Sequence, residues 1–154
     1  MEYFAWFENT ALSLWVRESP PVFPALLIAH VLGMGVIVGV NVLLAWRVSR
    51  RELQPGEIAT FVPLVWLAFT ASLISGALLL AAYPAKALTN PVFYLKLALI
   101  ALGFALFGAL RRRPRVAHWP LASAAALLLV WFAAITTGRL LAYTNTVLLA
   151  SHLF

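Results

Sequence analysis

Four apolar stretches, residues 22–46, 60–83, 92–110 and 119–143, dominate this chain. Each reaches or approaches the ~20 residues that carry an α-helix across ~30 Å of hydrocarbon. Lipid offers no water to backbone N–H and C=O groups, so a segment of this kind has to satisfy them internally as a helix. With 64% hydrophobic and 10% charged residues, the composition lies far from that of a soluble domain, and the stretches leave no room for a separate one. The expectation is a single membrane domain over residues 1–154, all-α, arranged as a transmembrane up-down four-helix bundle. Short connections broken by Pro55-Gly56, Pro84 and Asn90-Pro91 make sequence neighbours antiparallel.

The charges set an orientation. Arg47, Arg50 and Arg51 follow the first stretch and Arg111, Arg112, Arg113 and Arg115 the third, against Glu52 and Glu57. By the positive-inside rule that face is cytoplasmic, and both termini and the 83–91 loop are extracytoplasmic. The net charge of +6 is thereby accounted for by topology and by contact with the lipid bilayer's anionic headgroups, so no nucleic-acid partner is expected. The predicted residence is a bacterial inner membrane. Residues 1–20 carry Glu2 and Glu8 and no basic leader, which predicts a retained N-terminus rather than a cleaved signal. Tyr3 to Glu18 read as an amphipathic helix lying on the outer interface and ended by Ser19-Pro20-Pro21. Its apolar side is predicted to hold Tyr3, Phe4, Phe7, Ala11, Leu14 and Trp15, and its polar side Asn9, Ser13 and Arg17. Glu18 falls on the apolar side, which points its carboxylate toward the bundle and a cationic partner.

Ionisable groups inside spans cost about 2.5–3.5 kcal/mol at the centre of a bilayer, so they mark buried sites. His30, Lys96 and Arg139 are those groups here. His30, Met34, Ile37 and Asn41 share one face of the first span, which is expected to look inward. Gly35 and Gly39 form a GxxxG, and Gly33 adds a third place for close approach by a helix or a flat ligand. An imidazole with a thioether one turn away suits copper(I), and an imidazole beside glycines suits the iron of a haem b. A histidine hydrogen-bonded within the bundle, with methionine as filler, is the plainer alternative. Lys96 and Arg139 each lie about four residues from the outer end of their spans, and His30 only ~12 Å below that boundary. Thr136 and Tyr143 flank Arg139 on its own face, while Ser72, Ser75, Gly76 and Tyr83 line one face of the second span. An extracytoplasmic-side site for an anionic group such as a propionate, a phosphate or the Glu18 carboxylate follows, against the alternative that both cations snorkel to the headgroups. His118 falls at the cytoplasmic interface, and His152 beyond the last span. With no cysteine, disulfides, thiolate metal sites and cysteine catalysis are excluded. No Ser-His-Asp set, HExxH or phosphate loop is present.

Nearly the whole chain resembles a group of small bacterial four-span membrane proteins with no assigned activity. The residues that carry this are Glu18-Ser19-Pro20, Leu27-Ile28-Ala29-His30-Val31-Leu32-Gly33, Asn90-Pro91-Val92-Phe93-Tyr94-Leu95-Lys96, and Trp131 followed by Gly138-Arg139-Leu140-Leu141-Ala142-Tyr143. More distantly it is similar to the copper-resistance D membrane domain and to the bacterial membrane protoporphyrinogen oxidase, which is associated with haem. In that comparison His30 matches the histidine and Lys96 the lysine, although the methionine and histidine richness of copper transport is lacking. The functional expectation is an inner-membrane protein that binds a haem-like or other anionic ligand through His30, Lys96, Arg139, Tyr143 and Glu18. The competing expectation is an accessory or assembly subunit, held by a membrane-protein partner or as a homo-oligomer. A permease is disfavoured, because four spans without paired acids offer no coupling site.

Overall fold

The computed structural model describes residues 6–54, 56–112 and 121–151, with backbone alone at 121, 142 and 144–151. These residues fold into helices α1 (Ala11–Glu18), α2 (Val22–Ser49), α3 (Glu57–Ala82), α4 (Pro84–Leu88), α5 (Pro91–Arg112) and α6 (Leu121–Ser151), with no strand among them. Four of the helices are long and apolar enough to cross a bilayer, α6 through Ala122–Leu141. The protein is a multi-pass, all-α membrane protein of the four-helix class its hydropathy predicts. His118, His152, Trp119, Arg113, Arg115, Pro55, Tyr3 and Phe4 lie outside the described residues.

Helix α2 ends three residues after its apolar stretch and α3 starts three residues before its own, because polar caps rather than hydropathy set the ends at this turn. At the end of α2, the Glu52 N–H donates to the Arg47 carbonyl (3.0 Å) and the Arg51 N–H to that of Val48 (3.1 Å). Between them Arg51 adopts φ +58°, the left-handed closure that glycine usually provides. At the start of α3 the Glu57 carboxylate accepts from the Gln54 N–H at 3.1 Å and meets the Arg47 guanidinium at 2.6 Å, so the turn is tied at both edges. The backbone of α6 is helical through Ser151.

The chain divides into two compact units, residues 1–40 with 59–87 and residues 41–58 with 88–154. In the first, α2 and α3 run antiparallel: Phe23 meets Tyr83 edge-on at 6.2 Å between centroids, and His30 meets Ser72 at 2.9 Å. Gly33 faces Ala68, where an added Cβ would lie 2.6 Å from the backbone oxygen. Gly33 is thus the close-approach position of α2, whereas Gly35 and Gly39 face open space and do not serve the packing expected of their GxxxG.

In the second unit α5 and α6 are antiparallel, with Lys96 beside Gly138 and Gly103 beside Trp131. Ala124, Leu127, Trp131 and Ala134 are buried, a 3–4–3 spacing that lays one seam along α6. Trp131 is 1% exposed and fits only because Gly103 lacks a side chain; a Cβ there would lie 2.8 Å from the indole.

The N-terminal helix corrects the sequence reading twice. Among the described residues the helix is interrupted at Asn9 and Thr10 and resumes at Ala11, because Thr10 acts as N-cap, accepting from the Ser13 N–H (3.5 Å) and donating to the Phe7 carbonyl (2.7 Å). Its faces are also exchanged. Ser13 and Val16 are fully buried, while Leu12 and Trp15 are 46% and 54% exposed. Ser13 donates to the Ala82 carbonyl at 3.3 Å, which satisfies one of the last carbonyls of α3. At a lipid interface a small residue belongs at the close contact and an indole belongs outside.

Candidate functional site

His30 sits midway between α2 and α3 in the first unit, half-buried, and the two helices bond reciprocally around it. Its Nδ1 lies 2.9 Å from the Ser72 carbonyl oxygen, and the Ser72 hydroxyl donates to the His30 carbonyl at 3.0 Å. A carbonyl only accepts, so Nδ1 carries the proton. In the neutral imidazole the lone pair then belongs to Nε2. Ligating histidines are commonly held in this way, with the remote N–H tied to a backbone oxygen so that ring direction and tautomer are fixed together.

Gly76 completes the seat. A Cβ there would lie 2.9 Å from Cε1 and 3.1 Å from Nδ1 of His30, so the ring lies against bare backbone. Ser75 is 2% exposed and turns its hydroxyl to its own helix, donating to the carbonyls of Ala71 (2.6 Å) and Ser72 (3.3 Å). Met34 lies one turn further along α2, half-buried, and Ile37 is fully buried, as the inward face requires. Among the described residues no three His, Cys, Asp or Glu gather as a metal cluster. The donors the sequence offers a copper ion here are His30 and Met34.

Glu18 is not where the helical wheel placed it. Its side chain is 67% exposed, with the Arg17 guanidinium at 3.9 Å, because exchanging the faces of α1 carries position 18 outward. Arg17 in turn lies over the Tyr83 ring at 6.0 Å. The inward-pointing carboxylate is therefore corrected to an exposed one.

Lys96, Arg139 and Tyr143 belong to the second unit. Lys96 is half-buried, and its stem lies along Gly138: a Cβ there would be 3.6 Å from Cε and 3.7 Å from Nζ. Arg139, the next residue, is exposed, and Tyr143 is 62% exposed. Thr136 and Thr137 turn their hydroxyls to carbonyls of α6 itself (2.9–3.0 Å).

Ser72 and Gly76 are read from sequence as one face of the second span, yet not as the histidine's partners. The available signal was a serine and a glycine one helical turn apart in an otherwise apolar segment, facing a span that carries one imidazole. Comparison with protein-family models, curated proteins and solved structures gave no match.

Proposed function

We propose that this protein binds a haem b-type group in the membrane through Nε2 of His30. The observation that supports this is the 2.9 Å Nδ1 contact to the Ser72 carbonyl, which directs the lone pair of a neutral imidazole to the opposite nitrogen. The donor set fits the group, since imidazole nitrogen is the common proximal ligand of haem iron. When bound, haem supplies one-electron or dioxygen chemistry at its iron. The chain's own part is to present Nε2 in one tautomer and to hold the ring by Ser72 and Gly76. The distant resemblance to the membrane protoporphyrinogen oxidase, in which His30 matches the histidine, points the same way. The runs Arg47 to Arg51 and Arg111 to Arg115 support a bacterial inner-membrane residence with both termini extracytoplasmic.

The test is an absorbance spectrum of protein purified in mild detergent from haem-replete cells. A Soret band is expected, absent in His30→Ala and kept in Ser72→Ala, which retains the backbone carbonyl. Colourless, iron-free wild-type protein defeats the reading.

A second reading, an accessory or assembly subunit, is favoured by the reciprocity itself. Two bonds between the same pair of residues are what a purely structural lock between helices would use. Under that reading His30→Ala lowers stability, changes no spectrum, and a larger membrane partner co-purifies in fixed ratio.

A further inference from the structure

Lys96 and Arg139 meet the same turn of α6. The Lys96 stem runs along the Gly138 gap in the seam, and Arg139 follows Gly138 directly, with its Cα about 3.8 Å away. In the sequence Tyr143-Thr144-Asn145-Thr146 interrupts the apolar run one turn after Arg139, so Arg139 stands at the edge of the hydrocarbon, the depth of lipid phosphates and glycerol esters.

What surrounds Arg139 identifies the kind of anion that reaches it. Phe132, Thr136, Arg139 and Tyr143 follow one another at helical spacing and are all exposed, Phe132 at 56% and Tyr143 at 62%. Ile135 and Leu140 beside them are 40% and 49% exposed. A guanidinium is thus set at the top of an apolar stripe, with an aromatic hydroxyl one turn beyond it. Such a surface matches an amphiphile: hydrocarbon below, negative charge at the level of the cation, polar headgroup above.

We propose that Lys96 and Arg139 bind the phosphate of an anionic phospholipid whose acyl chain lies along Ile135 and Phe132. Arg139 gives the forked, charge-assisted contact that a phosphate accepts in pairs. Lys96, steered by the Gly138 gap, adds a point charge from the seam. This site is independent of the haem reading, because it uses neither His30 nor any residue of the first unit.

Native mass spectrometry of the full chain in neutral detergent tests it, with phosphatidylglycerol and phosphatidylcholine of matched chains as probes. Wild-type protein should retain one phosphatidylglycerol in preference to phosphatidylcholine. Arg139→Gln should weaken that retention about tenfold, as loss of a charged hydrogen-bond donor implies. Lys96→Gln should weaken it less, and Arg139→Lys should keep the lipid preference. Arg111→Gln, at the opposite end of α5, should leave this lipid in place. Because Arg139 is exposed, its variants should fold, and an unchanged helical circular-dichroism spectrum confirms that they do. Equal retention in wild type and Arg139→Gln overturns the site. Displacement of the lipid by millimolar inorganic phosphate overturns the lipid assignment, since a phosphodiester held along an acyl groove should resist it.

Discussion

Both helix pairs of this protein are built on glycine gaps, but they fill them differently. On α2/α3 the gaps receive polar groups: the imidazole of His30 lies on Gly76, and Ser72 with the Ala68 carbonyl closes on Gly33. On α5/α6 they receive bulk, the indole of Trp131 at Gly103 and the stem of Lys96 at Gly138. In lipid there is no hydrophobic force to press helices together, so close packing and interhelical hydrogen bonds must do it. The first pair adds direction to packing, since a bond such as His30 to Ser72 fixes rotation and register. The second relies on shape along its Ala124–Leu127–Trp131–Ala134 seam. A directed contact fixes the setting of one side chain, whereas shape alone fixes the spacing of two helices.

Substitutions can break this contrast, and the largest effect is expected at Gly33. Gly33→Ala drives a methyl group into the backbone of Ala68, which cannot rotate away, and should cost about 1–3 kcal/mol of unfolding free energy, measured by steric trapping in bicelles. A wild-type value would mean that α2 and α3 are further apart than described. Next comes the directed bond. Ser72→Ala removes the hydroxyl but leaves its carbonyl, so a loss of about 0.6 kcal/mol, the average for interhelical bonds in lipid, is expected. A loss of several kcal/mol would show that the hydroxyl, rather than the carbonyl, holds the histidine. The smallest effects sharpen the comparison. Gly138→Ala meets the flexible Lys96 stem at ordinary contact distance (3.6 Å) and Gly35→Ala meets nothing within 4 Å. Both should stay within about 0.5 kcal/mol of wild type or gain from helix propensity. A large loss at Gly35 would show that its face is covered in the membrane.

The sequence revealed the spans and the antiparallel run of each helix pair because the bilayer leaves one solution for twenty apolar residues. It missed helix ends by several residues, since caps decide them: Arg51 in a left-handed turn and Glu57 reaching back to Gln54 leave no trace in hydropathy. The inward face of α2 was readable from the spacing of His30, Met34, Ile37 and Asn41. The partner across the seam was not, because pairing depends on the register of two helices and periodicity describes each one alone. The helical wheel of α1 put Trp15 inward and Ser13 outward, and the packing reverses both. With lipid outside, Trp15 goes outward, Ser13 goes inward, and Glu18 follows the rotation to the surface.

The Ser72 oxygen has two lone pairs and more than two claimants: the α3 ladder, the His30 ring and, at 3.3 Å, the Ser75 hydroxyl. A carbonyl drawn outward in this way serves its own helix less well. The amide four residues on, at Gly76, should therefore exchange with deuterium earlier than its neighbours in the span, making that turn of α3 a flexure point directly beneath the imidazole. Any motion of the histidine would then be transmitted first as a bend in the second span.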